Sequence, residues 1–327
     1  MIVLGIESTA HTFAISIVDG EKKKVLSNVI DGFTTVSGGM IPSKVADHHV
    51  DVYDRVLSDA LLKANIKLSD VELISFSQGP GMGHCLKIGA FAAKTLSLKL
   101  KKPLIGVNHC IAHLEIGRML TDVNDPVLLY ASGANTQIIA YEGGKYRVFG
   151  ETLDNGIGNF VDSLAREMGL GFPGGPKIYE LSLKSKNYIE LPYTVKGMDV
   201  SFGGLLTNLK NKLKQGYKKE DLAYSVQETV YAMLVEVAER AMAHTGKTEL
   251  LLGGGVACNK RLIEMANIMC KERGAKCYSL PNEFNVDNAA MIAWLGYVQY
   301  KSGMKTKISE AYIKPYERTD EVRVTWR

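Results

Sequence analysis

MIVLGIESTAHTFAISIVDG, residues 1–20, contains two apolar runs separated by a short polar turn. The runs from Met1 to Ile6 and from Phe13 to Val18 indicate strands, and a third run beginning at Val25 completes a three-stranded meander. The same pattern returns in PVLLYASGANTQIIAYEGGKYRVFG, residues 126–150, where glycines again mark the turns. A chain that begins the same way twice indicates an internal repeat, so we predict two similar halves.

Each meander is followed by alternating helical and strand patterns. Because crossover helices connect parallel strands, this alternation predicts a two-lobed α/β fold that holds a ligand in the cleft between its lobes. We place the first lobe at 1–125, completed by part of 300–327, and the second at 126–299. Helices are predicted at 44–65, 84–98, 157–168, 222–244 and 286–299, and buried strands at 73–77, 104–109 and 249–252.

Composition narrows the class of protein. A chain of 327 residues that is 46% hydrophobic can fill the cores of two ordinary domains. The first apolar run meets Glu7 too early for a signal peptide or a membrane span, so we expect a cytoplasmic protein with no membrane partner. Five cysteines without zinc-binding spacing argue against a disulfide framework or a structural zinc. The net charge of +4 leaves a nucleic-acid partner open.

Four turns rich in glycine or small residues follow apolar strands. Such turns let backbone N–H groups approach a phosphate closely, and a helix that begins beside the turn adds its positive end. Any one of them could be an ordinary strand-to-helix turn, but four together favour an anion site. The P-loop and Rossmann patterns are both absent, so the nucleotide site would be of another type. The four turns are ESTA at 7–10, QGPGMG at 78–83, SGANT at 132–136 and GGGVA at 253–257.

Two histidines four residues apart, His109 and His113, follow a predicted strand. On a helix both imidazoles project from one face and can chelate a metal ion, although two ordinary helical histidines give the same spacing. Asp287, predicted to begin a late helix, and Tyr130, at the end of a strand, could supply oxygen ligands. Two imidazoles, a carboxylate and a phenol suit iron or zinc better than magnesium.

Two further segments leave alternatives open. Asp162 lies inside a predicted helix, where it could cap the helix, pair with Arg166, or hold the hydroxyl groups of a ribose. The basic stretch from Lys210 to Lys219 could contact nucleic-acid phosphates, although a solvated helix face produces the same pattern.

These motifs together resemble the tRNA N6-adenosine threonylcarbamoyltransferase family, in the archaeal and eukaryotic branch that forms the catalytic subunit of the KEOPS complex and is related to bacterial TsaD. The resemblance covers nearly the whole chain. The matching motifs, in chain order, are GIESTA at 5–10, SQGPGMG at 77–83, GVNHCIAH at 106–113, SGANT at 132–136, GFPGGP at 171–176, GMDVSFGGLLT at 197–207, GGGVACN at 253–259 and VDNAAMIA at 286–293.

The resemblance implies an actin-like ATPase (ASKHA) fold, with two duplicated RNase H-like lobes around a central ligand cleft. It implies one divalent metal ion, iron first and zinc or magnesium as alternatives, held by His109, His113, Tyr130 and Asp287. It also implies a bound adenine nucleotide: threonylcarbamoyl-AMP, AMP or ATP. The residues expected at the nucleotide or substrate are Tyr130, Ala131, Ser132, Gly133, Ala134, Asn135, Asp162, Gly175, Tyr179, Gly254, Gly255 and Asn259, with Glu7, Ser8, Thr9 and Glu180 as secondary candidates.

The chain departs from the family pattern at three positions. Ala134 stands where the family usually has a second glycine, which adds a methyl group next to the expected phosphates. Tyr179 followed by Glu180 stands where an acid is common after the Gly-Gly-Pro motif. Gly203 replaces a usual serine, which removes one hydroxyl contact.

The implied activity is transfer of threonylcarbamoyl from threonylcarbamoyl-AMP to N6 of the adenosine 3′ to the anticodon, in tRNAs that read codons starting with A. The implied partners are tRNA, a small atypical protein kinase that is fused C-terminally in some relatives, and a dimerising small subunit. No residue of the sequence identifies itself as the general base for the amine.

Three other functions compete with this one. A thermolysin-like protease needs glutamate directly after the first histidine, where Cys110 stands. A small-molecule kinase of the same superfamily seldom needs paired histidines. A non-catalytic, ATP-gated interaction protein would bind nucleotide without modifying any tRNA.

Overall fold

The structure is a computed structural model that describes residues 1–35 and 40–327. The strands are β1 (Ile2–Glu7), β2 (Thr12–Asp19), β3 (Lys24–Gly32), β4 (Leu73–Gly79), β5 (Leu104–Asn108), β6 (Val127–Ala131), β7 (Thr136–Glu142), β8 (Lys145–Glu151), β9 (Val195–Lys196), β10 (Asp199–Val200), β11 (Glu249–Gly253) and β12 (Lys276–Ser279). The helices are α1 (Pro42–Ala64), α2 (Gly83–Leu100), α3 (His109–Leu120), α4 (Ile157–Glu167), α5 (Gly175–Ser182), α6 (Gly203–Lys214), α7 (Lys219–Thr245), α8 (Lys260–Glu272), α9 (Asn282–Asn285) and α10 (Ala289–Lys301).

Two five-stranded sheets share one topology. The first has the strand order β3-β2-β1-β4-β5, and the second has the order β12-β11-β6-β7-β8. In each sheet an antiparallel meander continues into two parallel strands: β1 pairs in parallel with β4 and β4 with β5, as β6 does with β11 and β11 with β12. This confirms the duplicated α/β fold predicted from the two meanders.

The helices form layers around the sheets. The outer face of the first sheet packs on α1 and α2, and that of the second sheet packs on α7. Between the sheets lie α3 and α10, whose apolar residues join both sheets into a single core. The sequence of α10 fits this central position, because Ala289 to Tyr297 is an unbroken run of buried residues with no polar face.

The first sheet and α10 approach so closely that a side chain would not fit between them. A Cβ added to Gly5 in β1 would lie 2.3 Å from the carbonyl oxygen of Ala289. Glycine at this position therefore lets the backbone of the helix rest directly on the strand.

The lobe limits given from the sequence remain a prediction, with one qualification. The segment 126–299 includes most of α10, yet α10 packs on β1, β2 and β4 of the first sheet. The chain therefore returns to the first sheet before residue 299.

Residues 302–327, which we call the strap, run along the surface and contact both sheets. The amide of Thr306 donates to the Leu104 carbonyl of β5. Farther along, Arg318 pairs with Glu151 of β8 at 3.2 Å, and the Trp326 indole donates to Glu115 of α3.

The five predicted helices are present as α1, α2, α4, α7 and α10. The late helix begins at Ala289, with the Asn288 side chain accepting from the Met291 amide as its N-cap, so the prediction that Asp287 begins it was wrong by two residues. The pattern did not locate α5, α6 and α8, which bury only two or three side chains each. No helix in the described ranges combines the length and apolar character needed to cross a membrane.

Candidate metal and nucleotide site

The site begins where three parallel strands of the first sheet end. Because β1, β4 and β5 run in parallel, their carboxyl ends meet at one edge, and Glu7 and Asn108 are the last residues of β1 and β5. The Asn108 side chain accepts from the amides of Cys110 and Ile111 and so caps α3. This cap starts the helix at His109, which puts His109 and His113 one turn apart on one face.

Four side chains from both halves of the chain converge at this point. The imidazole Nε2 of His109 lies 3.0 Å from the phenol oxygen of Tyr130 and 3.3 Å from a carboxylate oxygen of Asp287. The Nε2 atom of His113 lies 3.4 Å from the same Asp287 oxygen. In the described residues, the only His/Cys/Asp/Glu cluster of metal-binding geometry is His109, His113 and Asp287, with donor atoms all within 4.8 Å.

His109, His113 and Tyr130 are buried, Asp287 is partly exposed, and the charges of the cluster influence each other. Burial alone would lower the pKa of His109, but the electrostatic interaction with Tyr130, Glu7 and Asp287 raises that pKa well above its ordinary value. Burial would raise the pKa of Asp287, whereas the two imidazoles lower it well below the usual range. Burial lowers the pKa of His113 and raises that of Tyr130.

The Glu7-Ser8-Thr9 turn, predicted as a secondary substrate contact, faces this cluster and not open solvent. Glu7 is fully buried, and its Oε2 atom lies 2.9 Å from Nδ1 of His109. Thr9 donates to the other Glu7 oxygen from both its amide and its hydroxyl. The Ser8 side chain is fully buried against Gly89 of α2.

Two of the four predicted glycine turns lie against each other beside the cluster. Gly254 has φ +92°, and a Cβ there would lie 2.3 Å from the Ala131 carbonyl oxygen. Its neighbour Gly253 pairs with Tyr130 in the sheet, and a Cβ on Gly253 would lie 3.8 Å from that of His113. The structure therefore brings the turn at 253–257 and the turn at 132–136 together next to the histidines.

The turn at 132–136 is stabilised internally and exposes its tip. The Ser132 amide and hydroxyl both donate to the Asn135 carbonyl, and the amide of Asn135 donates back to the Ser132 hydroxyl oxygen. Gly133 and Ala134 at the tip are exposed, while the carbonyls of Ser132 and Gly133 accept from the first amides of α4. The amides at the N-terminus of α4 are thus hydrogen-bonded to the turn itself.

The remaining nucleotide candidates lie on the second lobe. One carboxylate oxygen of Asp162 accepts from the Gly174 amide at 2.7 Å, and burial raises the pKa of Asp162. Gly175 begins α5, on which Tyr179 is half-buried and Glu180 is exposed. The Asn259 side chain caps α8 and donates to Gln227, so its polar atoms are already engaged.

The turn at 78–83 does not have the open backbone expected of a phosphate loop. The amide of Gly81 donates to the Pro315 carbonyl, and that of Met82 donates to the Thr9 carbonyl. The Gln78 side chain donates to the Tyr312 carbonyl at 2.7 Å. The strap covers this turn, and sequence reasoning missed it because the covering residues lie more than 200 positions away.

Two other sequence features have a structural role. The amide of Gly203 donates to Asp154, and a Cβ at Gly203 would lie 2.9 Å from the same carboxylate, so glycine fits where the family usually has serine. In the basic stretch, Lys210 pairs with Glu167 at 2.8 Å, and Lys219 donates to the Met168 carbonyl. Part of that stretch is therefore committed to contacts within the chain.

Comparison with known proteins gives a consistent result. The family model for TsaD, tRNA N6-adenosine threonylcarbamoyltransferase, matches residues 24–294. A protein of that name from Thermococcus kodakarensis is 56% identical over 327 residues, which is the full length of both chains. A probable bifunctional tRNA threonylcarbamoyladenosine biosynthesis protein from Methanothermobacter thermautotrophicus is 51% identical over 326 residues, which span 61% of its length.

Among solved structures, the fold is similar to that of T. kodakarensis HypF. The TM-score is 0.64 at 12% identity, over 92% of this chain and 48% of that one. At this identity the likeness concerns the fold alone, which is the actin-like ATPase fold.

Proposed function

The chain belongs to the tRNA N6-adenosine threonylcarbamoyltransferase family, and we propose that it transfers threonylcarbamoyl from threonylcarbamoyl-AMP to N6 of the adenosine next to the anticodon, in tRNAs that read codons starting with A. The observation that supports a reaction at this place is the convergence of two imidazoles, a phenol and a carboxylate beside two glycine turns. A metal-binding group and an anion-binding turn in contact suit an acyl phosphate substrate.

We infer that His109, His113, Tyr130 and Asp287 hold one divalent ion, iron or zinc. The donor set fits, because its two nitrogen and two oxygen atoms face each other in a buried space and suit these metals better than magnesium. When bound, such an ion supplies Lewis-acid polarisation of a carbonyl or phosphoryl oxygen.

We infer that the AMP portion lies against the two adjoining turns. The exposed backbone of Gly133, Ala134 and Gly255 can donate to the phosphate. Asp162 uses one oxygen to accept from Gly174, which leaves its other oxygen for ribose hydroxyls. Asn259 acts indirectly, since its side chain caps α8 and thereby fixes the end of the turn at 253–257.

The reaction forms one bond and breaks one. The exocyclic amine of adenosine attacks the carbamoyl carbon, the bond from that carbon to the phosphate oxygen breaks, and AMP leaves. The turn amides stabilise the negative charge that returns to the phosphate. The amine also loses a proton to an acceptor.

The rival functions receive less support from the site. Cys110, which stands where a thermolysin-like protease needs its glutamate, is buried in the core and has a pKa raised by burial to about 11. A small-molecule kinase or an ATP-gated interaction protein has no need of the buried pair His109 and His113 beside the nucleotide turns.

The test is a transfer assay with purified components. The protein, with and without its partner subunits, is incubated with unmodified tRNA and threonylcarbamoyl-AMP, and the digested tRNA is searched by mass for the modified nucleoside. Tyr130→Phe should lose most of the product, because it removes one ligand oxygen at almost constant volume. Tyr146→Phe is the matched control: Tyr146 is equally buried, but its hydroxyl bonds Glu115 and not the metal cluster. Wild-type protein that yields no product in either condition refutes the proposal.

We propose that the chain acts within a KEOPS-type assembly, with tRNA as substrate and a small protein kinase and a dimerising subunit as partners. Support comes from relatives named as bifunctional, in which a chain of this kind makes up 61% of a longer protein. Co-purification with separately expressed partners, followed by the transfer assay, tests this assembly.

A further inference from the structure

Within residues 1–35 and 40–327, His109 is the one of the four side chains expected at the metal ion that contacts a buried carboxylate from outside that set. The Glu7 Oε2 atom lies 2.9 Å from Nδ1 of His109, on the side of the ring opposite to Tyr130 and Asp287. His113 differs, because its Nδ1 atom is buried without a hydrogen-bond partner in the described residues. The two imidazoles are therefore held by different means.

Both carboxylate oxygens of Glu7 have a hydrogen-bond partner. Its Oε1 atom accepts from the Thr9 amide at 2.6 Å and from the Thr9 hydroxyl at 2.5 Å. An ionised carboxylate only accepts hydrogen bonds, so it pairs with Nδ1 of His109 when that nitrogen carries a proton. The Thr9 hydroxyl, which donates to Glu7, lies 3.3 Å from the same Nδ1. A proton on Nδ1 leaves Nε2 with the lone pair that a metal ion needs.

Backbone packing keeps Glu7 in this place. It ends β1, is fully buried, and sits two strands away from β5, after which α3 begins with His109. The next residue is fixed as well, because the Ser8 amide donates to the Ser77 hydroxyl. The carboxylate therefore makes its contacts inside the protein, with Thr9 and His109.

We propose that Glu7 is a positioning residue that fixes the tautomer and ring orientation of His109, so that Nε2 faces the metal ion. This inference deepens the proposed function, since it rests on the metal site formed with His113, Tyr130 and Asp287. Carboxylates that hold the far nitrogen of a metal-binding histidine raise metal affinity about 10- to 100-fold.

Glu7→Gln separates tautomer control from simple packing. The glutamine has the same shape but only one acceptor oxygen. If that oxygen accepts from Thr9, the amide NH2 faces Nδ1 of His109 and favours the opposite tautomer, with the proton on Nε2. The matched control is Glu115→Gln, which alters another buried carboxylate on α3 that bonds Tyr146 and Trp326 and touches no expected ligand.

Two measurements test the proposal in the metal-free protein labelled with ¹⁵N-histidine, at a pH high enough for the His109 ring to be neutral. Imidazole ¹⁵N shifts should report the Nδ1–H form of His109 in wild type and in Glu115→Gln, and the Nε2–H form in Glu7→Gln. Titration calorimetry with Zn²⁺ alone should show affinity reduced about 10- to 100-fold in Glu7→Gln and changed less than about twofold in Glu115→Gln.

An unchanged tautomer in Glu7→Gln overturns the proposal, whatever the affinity, and so does a Zn²⁺ affinity within about twofold of wild type. If Glu7→Gln does not fold by circular dichroism, Glu7→Asp replaces it, since the shorter acid withdraws the acceptor from Nδ1 and should weaken Zn²⁺ binding equally. Neither measurement involves tRNA, so a failure of the transfer activity is distinguishable from a failure of this inference.

Discussion

The pair Gly254 and Gly255 allows the turn beside the metal cluster to be tested one methyl group at a time. Gly254→Ala puts a side chain on a residue with φ +92° and drives its Cβ to 2.3 Å from the Ala131 carbonyl oxygen. Backbone strain of this kind costs about 1–3 kcal/mol, and overpacking costs a similar amount. One movement of the turn can relieve the backbone strain and the overpacking together, so the two costs do not add in full. We therefore expect a loss of about 2–4 kcal/mol in the free energy of unfolding.

Gly255→Ala is the control for this substitution. A Cβ at Gly255 meets no atom within 4 Å, so its effect on stability should stay within about 0.5 kcal/mol. Gly255 is nevertheless expected to lie against the nucleotide, so its methyl group should still weaken AMP binding. Gly254→Ala should weaken both stability and AMP binding, because it displaces the turn from Ala131.

Urea denaturation followed by circular dichroism gives the stability of each variant, and calorimetric titration with AMP gives its affinity. Gly254→Ala as stable as wild type would show that the contact with Ala131 is not rigid, contrary to our reasoning. Unchanged AMP affinity in Gly255→Ala would remove Gly255 from the nucleotide site while leaving the fold argument intact.

Three further predictions follow from the buried ionisable groups. Asp287→Asn should lower Zn²⁺ affinity by more than about 100-fold in calorimetry, because losing a direct ligand weakens binding more than losing a group that orients a ligand. A smaller loss would exclude Asp287 as a ligand. Zn²⁺ affinity of the wild type should rise with pH, because the raised pKa of His109 keeps that ring protonated at neutral pH and the metal must displace the proton. Calorimetry in buffers of different ionisation enthalpy counts the proton released, and none released contradicts the prediction. Burial lowers the pKa of His49 from 6.5 to about 4, so the unfolded chain takes up this proton at a higher pH than the folded chain. Stability should therefore fall by up to about 3 kcal/mol as the pH drops from 6.5 towards 4, and denaturation of His49→Gln should lack this part of the pH dependence of stability.

Much of the fold could be predicted from local pattern. The two meanders, one from Met1 through the apolar run that begins at Val25 and one at 126–150, alternate apolar runs with turn residues, as neighbouring antiparallel strands do. The structure contains them in two sheets of equal topology. Long helices such as α1 and α7 were predicted because their apolar spacing extends over many turns. The short α5 and α8 were missed, because two or three buried side chains give too weak a periodicity.

For the site, the sequence supplied the residue types but not their neighbours. The spacing of His109 and His113 already required a shared helix face, and the structure adds Tyr130 and Asp287 at 3.0 to 3.4 Å. The sequence predicts Glu7 as a secondary substrate contact, because a turn after a strand is usually exposed, whereas the structure buries Glu7 against His109. The sequence does carry a signal for this burial: an acid at the end of an apolar strand needs a buried partner.

The sequence by itself determined the local elements, since hydrophobic period, turn residues and helix caps act over only a few positions. The tertiary structure alone decided that α10 leaves the second half to pack between both sheets, that the strap closes the turn at 78–83, and that Glu7 meets His109. These contacts join residues about 100 to 290 positions apart. They depend on which buried surfaces fit together, and that fit is a property of the whole packed core, which no short segment contains.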